Sequence, residues 1–166
     1  MKAQLAQVLL EHAWERTLAG EPEAKPWPWA DTWPVAVVEA PRLGAHAVVL
    51  AEAGGEAMAF GPMALAQTPA PGGPGGSVVA AHRDTHFAFL KHLEEGDAIR
   101  VLMADGAVRS FEVTGMEIVR ADRSGIEPWG GRPRLALVTC WPFDAKTPGP
   151  LRYVVWAEPV EGGIAT

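Results

Sequence analysis

The chain has 166 residues with 14 basic and 20 acidic side chains, a formal net charge of −6 and no run of Lys or Arg, so it lacks the basic footprint that nucleic acid phosphates require. Its 18 glycines and 15 prolines make one residue in five, against roughly 12 % in an average protein, yet 48 % apolar residues still suffice for one core, which excludes wholesale disorder. A single cysteine excludes an internal disulfide and a thiolate cage for zinc or an iron–sulfur cluster, and no stretch reaches the ~18 uninterrupted apolar residues of a bilayer span.

Residues 2–18 carry Leu5, Val8, Leu9, His12, Ala13 and Arg16 at three- and four-residue spacings among Ala, Gln, Glu and Leu. That pattern predicts one amphipathic helix, closed by Gly20 and Pro22. Residues 1–24 are therefore read as a helix and linker, and 25–166 as the main domain. Pro26, Pro28 and Pro34 then forbid helix and central strand alike. The result is an extended strap whose Trp27, Trp29 and Trp33 either pin it across the domain or meet a membrane interface or partner.

From Val35 onward, short apolar runs are cut by turn residues: 35–38, 46–50, 58–60, 77–81, 99–103, 109–120, 135–140 and 152–156. Eight such runs predict a mainly β domain, a closed barrel or a sandwich. Gly54-Gly55, Asp105-Gly106 and Gly130-Gly131 mark tight turns, and Asp105-Gly106 is the strongest hairpin signal. Thr85 to Leu93 reads as a short helical turn with Phe89, Leu90 and Leu93 inward. The Pro- and Gly-rich stretch 69–76 is a surface connection between strands.

Three residues occupy one type of position. His82 follows the run 77–81, Cys140 ends 135–140 and Arg152 opens the last strand. Strand ends hold side chains at a rim on a rigid scaffold. A thiol, an imidazole and a guanidinium can together perform acyl transfer: thiolate attack, proton handling and oxyanion stabilisation. A lone Cys in an apolar run is more often packing than catalysis, so position alone leaves this open. His82 and His86 stand four apart, but Arg83 and Asp84 replace the Glu of a zinc-protease helix, so no metal is expected. Glu52, Glu56, Glu94 and Glu95 are scattered acids and make no site.

The wording around these residues adds to that. Ala81-His82-Arg83-Asp84-Thr85-His86-Phe87, Leu137-Val138-Thr139-Cys140 and Leu151-Arg152-Tyr153-Val154-Val155 resemble the sortase family in order and interval. Cys140-Trp141-Pro142-Phe143-Asp144 and the tryptophan-rich strap resemble its Gram-negative-type (class GN, marine proteobacterial) members. Ala81 and Trp141 stand where those members usually have Gly and Tyr.

The resemblance implies a closed eight-stranded barrel with an N-terminal helix and short connecting helices. It makes Cys140 the nucleophile, His82 the general acid and Arg152 the oxyanion and substrate-positioning residue, with Ala80, Val138 and Thr139 along the peptide groove. The implied reaction cleaves an LPXTG-like sorting signal between Thr and Gly and passes the acyl group from a Cys140 thioester to an amine, without cofactor. The implied partners are a signal-bearing protein and an amine acceptor, for a monomer at the extracytoplasmic (periplasmic) face of the cytoplasmic membrane, in the cell envelope. Residues 2–18 would be the tail of an N-terminal membrane anchor that this chain lacks. Trp129, in the apolar loop before the cysteine strand, and Trp141, just after Cys140, are expected to touch the peptide or the incoming amine. The rival readings are a cysteine endopeptidase with water as acceptor, an L,D-transpeptidase-like enzyme, whose Ser-His-Gly-Cys run Val138-Thr139-Cys140-Trp141 does not match, and a non-enzymatic β-barrel adaptor.

Overall fold

Turn residues divide the chain into segments too short to bury an apolar surface alone, and closure of a sheet solves that problem without leaving an edge. The computed structural model describes residues 2–52, 60–65, 70–73, 75–123, 134–147 and 149–165. Helix α1 (Lys2–Leu18) precedes strands β1 (Pro34–Ala40), β2 (Ala45–Ala51), β3 (Met63–Ala64), β4 (Gly76–Ala80), β5 (Ala98–Met103), β6 (Val108–Arg120), β7 (Arg134–Cys140) and β8 (Leu151–Ala165). They close a barrel in the order β1, β2, β3, β4, β7, β8, β6, β5. Short 3-10 helices at Pro41–Leu43, Ala88–His92 and Ala121–Arg123 connect them. This is the mainly β domain that the sequence pattern predicts, and of its two alternatives, barrel or sandwich, the closed eight-stranded barrel that the resemblance implies.

Side chains alternate across each strand. Val38, Val49, Val79, Ile99, Val101, Phe111, Leu135, Leu137 and Val155 fill the interior, capped by Phe87, Leu90 and Leu93. The short helical turn thus buries Phe87, Leu90 and Leu93, while Phe89 is only partly buried against the core. Two outer surfaces are covered as well. Leu10 and Trp14 of α1 lie on Val37, Val48 and Leu50, and Val78, Ala136 and Val154 form a second outer cluster bordered by Leu65, Val119, Val138 and Trp156.

The buried face of α1 differs from the expected one. Ala6, Leu10, Ala13, Trp14 and Thr17 face the barrel, whereas Leu5 and Val8 are 61 % and 63 % exposed. Two alanines let the helix axis approach the sheet, and Trp14 supplies contact area that counting aliphatic residues underrates. In the strap, Trp27 meets Phe60 edge-on at 5.0 Å, and the Thr32 hydroxyl donates to the Ala51 carbonyl at 2.7 Å. Trp29, 82 % exposed, pins nothing.

The third strand also moves from its expected place. Phe60 lies in a turn, Met58 and Ala59 fall outside the described residues, and Met63–Ala64 pairs instead, parallel to β2 and antiparallel to β4. Gly61 permits this close approach: a Cβ there would stand 2.9 Å from the Val48 carbonyl. Asp105-Gly106 makes the expected hairpin, with Gly106 at φ +90°, Met103 N–H donating to Ala107 O at 2.8 Å and Ala107 N–H to the Asp105 carboxylate at 2.9 Å. The paired glycines 54–55 and 130–131 lie outside the described residues.

Two polar contacts fix connections. Thr139, 2 % exposed, donates from Oγ1 to the Ala81 carbonyl at 2.7 Å, tying the end of β4 to β7. Arg42 grips Asp97 with two bonds, at 2.7 and 2.8 Å, and donates to the His92 carbonyl. The Arg42 hydrogen bond holds the Asp97 carboxyl below its usual range.

Thr139→Val removes the buried hydroxyl that donates to the Ala81 carbonyl and is expected to cost about 1–3 kcal/mol, read as a lower midpoint in urea. Asp97 has a folded pKa below its unfolded value near 3.9, so its contribution is complete above that value and disappears as pH falls through the folded pKa. Asp97→Asn should therefore lower Tm at pH 6, with the gap to wild type closing in strongly acidic buffer. A gap that is independent of pH would refute this.

Candidate active site

The site is built by register. β4 and β7 run parallel with Ala80 opposite Val138, and Ala81 N–H donates to Val138 O at 3.1 Å. Two residues further along each chain come His82 and Cys140. β7 and β8 run antiparallel with Cys140 directly opposite Arg152. The pleat assigns the faces: Val79, Leu137 and Val155 point inward, and Val78, Ala136 and Val154 outward. The parity of each strand therefore sends Cys140 and Arg152 to the outer face, at one end of the second outer cluster.

Burial differs among the three. Cys140 is a free, half-buried thiol, His82 is exposed and Arg152 half-buried. Arg152 Nη1 donates to the carbonyls of Gly149 at 2.7 Å and Leu151 at 2.9 Å. Five N–H donors on a planar fork leave others for a substrate oxygen. Ala80 and Val138 are half-buried beside the thiol, on an apolar wall continued by Leu65, Val119 and Trp156. Thr139 points the opposite way, inward, with its hydroxyl on Ala81. Trp129 lies outside the described residues.

Trp141 stacks on Tyr153 with ring centroids 5.5 Å apart and planes at 22°. Phe143 meets both rings edge-on, and Phe143 and Tyr153 rest on the barrel core. This cluster anchors the β7–β8 connection directly after Cys140. The Trp141–Pro142 peptide is cis. Burial pushes the Tyr153 phenol up from its usual range. The role of Tyr153 escaped sequence reasoning, although it shares the inward parity of Val155 and Ala157.

The contacts of Arg83 and His86, which the sequence raised only in weighing a metal site, were not foreseen. Arg83 Nη2 donates to the Thr147 carbonyl at 3.0 Å, joining the segment after His82 to the β7–β8 connection. The turn between them closes through Phe87 N–H to His82 O at 3.1 Å and brings His86 back beside His82. Burial first, and the His82 charge second, lower the His86 pKa. Among the described residues no three His, Cys, Asp or Glu side chains could hold a metal ion together. Register brings a thiol, an imidazole and a guanidinium to one end of the barrel, groups whose chemistry is nucleophilic attack, proton transfer and anion stabilisation.

Known proteins share this architecture. A family model described as a sortase domain matches residues 38–160. Sortase D of Bacillus subtilis (strain 168) is 34 % identical over 84 residues, 50 % of this chain and 42 % of that protein, so the match spans less than half of the relative's length. Among solved structures, a Clostridium perfringens Sortase D5 transpeptidase superposes with a TM-score of 0.72 at 17 % identity, covering 95 % of this chain and 99 % of that one. Sortase A from Corynebacterium diphtheriae gives 0.70 at 20 % identity, covering 93 % and 84 %. At those identities the structures speak for the fold, and the sequence match speaks for descent. Since the matched region runs from inside β1 to near the end of β8 and takes in all three rim residues, the chain belongs to the sortase family, whose members are cysteine transpeptidases.

Proposed function

We propose that this protein cleaves an LPXTG-like sorting signal between Thr and Gly and transfers the acyl group to an amine. The observation that carries the reading is the shared rim: Cys140 opposite Arg152, with His82 two residues beyond the Ala80–Val138 pair. The Cys140 thiolate attacks the threonine carbonyl, and Arg152 steadies the oxyanion through donors not engaged by Gly149 and Leu151. His82 protonates the departing glycine amine as the C–N bond breaks, leaving a thioester and a neutral imidazole. In the second half an amine attacks the thioester, its surplus proton goes to His82, the C–S bond breaks and the thiolate returns.

Ala80, Val138 and the outer cluster give the Leu-Pro part of the signal an apolar bed. Thr139 serves that bed indirectly, by holding the Ala81 carbonyl. Trp141 follows Cys140 directly and is half-buried against Tyr153; its exposed part and Trp129, which precedes β7 in the sequence, are the proposed contacts to the peptide or the amine. The Gram-negative-type assignment, a monomeric state and action at the extracytoplasmic face of the cytoplasmic membrane, through an N-terminal anchor, rest on the resemblance of the motifs. Among the described residues no helix is long and apolar enough to cross a membrane.

A thiol reagent should form a covalent adduct at Cys140 in the folded protein, and an inert thiol would defeat the reading. On an LPXTG peptide with an added amine, Cys140→Ala should abolish cleavage, His82→Ala lower it by about 10²–10⁴-fold and Arg152→Ala by about 10²–10³-fold. Amine-dependent product separates a transpeptidase from an endopeptidase. Alanine at both Trp129 and Trp141 should alter peptide selectivity or amine use; unchanged turnover and selectivity would remove them from the substrate contacts.

A further inference from the structure

Acyl transfer needs two substrates, and the wall on β4, β7 and β8 accommodates one. The second must also reach His82, because its proton goes to the group that protonated the first leaving amine. Register identifies the other side of His82. Ala80 lies opposite Met63, and Met63 opposite Leu50, so the segment beyond Ala80 and the first half of β2 share one end of the barrel. There a cleft of about 700 Å³ lies between α1, β2, residues 60–62 and the turn carrying His86, a volume within the range of small-ligand sites.

The chemistry of the walls narrows the occupant. Ala6, Val48, Pro62, Ala88 and Phe89 make them largely apolar, and neither lysine nor arginine lines the cleft. His86 is part of the lining, and its lowered pKa keeps it uncharged near neutral pH, so it does not repel a cation. His46 also lines the cleft, and the Glu11 carboxylate of α1 stands 3.7 Å from its Nε2. A negative charge outside, apolar walls within and a neutral imidazole toward His82 suit an aliphatic ammonium that must lose its charge before it reacts.

We propose that this cleft is the acceptor site and takes a primary amine on an aliphatic stem of lysine-like length, the stem lying against Val48, Pro62 and Phe89 and the nitrogen passing His86 toward His82. The proposal rests on the transpeptidase reading and supplies its second substrate class. The ammonium loses one proton to solvent as the apolar walls disfavour its charge. The free amine then attacks the thioester carbonyl, the C–N bond forms and the C–S bond breaks. The remaining surplus proton passes to neutral His82, and Cys140 leaves as thiolate.

Two measurements test this separately. In Cys140→Ala protein, titration with Nα-acetyl-lysine amide should give saturable NMR shifts at His86 and Ala88, and triglycine should give none. In the wild-type enzyme acting on an LPXTG peptide, the KM for Nα-acetyl-lysine amide should lie at least about tenfold below that for triglycine, in keeping with several buried methylenes. Ala88→Leu, which intrudes on the cleft beside Phe89, and His86→Phe should each raise that KM about tenfold, and Glu11→Gln should raise it about twofold and weaken its salt dependence. Equal KM values for the two amines, or values unmoved by Ala88→Leu and His86→Phe, would overturn the proposal. Cleavage by water with saturation by neither amine would overturn it while leaving a cysteine peptidase. Saturable shifts at His86 without any acyl-enzyme at Cys140 would sustain the amine site and remove the sortase reaction instead.

Discussion

The parallel pairing of β4 with β7 is the constraint on which the rest of the site depends. A hairpin fixes its register through its turn, but β4 and β7 are separated by β5 and β6, so no turn aligns them. A slip of one residue would send Cys140 into the core and Thr139 out to the rim. The buried Thr139 hydroxyl opposes that slip, because it finds its acceptor, Ala81 O at 2.7 Å, only in the observed register. Leu135 and Leu137 make the same choice through packing, since both are fully buried inside the barrel. Core packing and one buried hydrogen bond thus decide where the Cys140 thiol stands relative to His82.

Burial on both faces of the sheet then decides where chemistry is possible. Helix α1 covers β1 and β2 through Leu10 and Trp14, leaving the outer surface of β4, β7 and β8 to a smaller cluster whose rim remains half-buried. The aromatic group of Trp141, Phe143 and Tyr153 closes the barrel beneath that rim. Large rings with few rotatable bonds hold a loop at low entropic cost. The rigidity needed around Cys140 therefore comes from the β7–β8 loop as well as from its strand.

Much of this was legible in the sequence. The strands could be read because Gly, Pro and Asp-Gly pairs bracket short apolar runs, and the rim residues because each stands at the end of such a run in wording shared with a known family. What escaped reading depends on long-range geometry. The face of α1 turned on two alanines and a tryptophan, since apolar residues surround that helix and periodicity alone could not choose among them. β3 formed at Met63 because Gly61 lets two backbones approach, a contact without local signature. Thr139 could be named as a groove residue from its neighbours, but its inward direction comes from strand parity and from an acceptor 58 residues away.

The same long-range geometry joins the elements around His82. Arg152 bonds the carbonyl of Gly149 and Arg83 that of Thr147, so the β7–β8 connection braces the Arg152 guanidinium from one side and the His82-bearing segment from the other. His82 is the exposed member of the site and sits at a strand end rather than in the sheet ladder. Three contacts of the next five residues set its position: the turn closed by Phe87 N–H on its carbonyl, the fully buried Phe87 ring and the Arg83 tether. That turn also forms one wall of the cleft beside β2. That one segment thus connects the rim that holds Cys140 and Arg152 with the cleft beside β2, the arrangement by which, in the proposed reaction, one imidazole would serve a leaving amine and an arriving amine in turn.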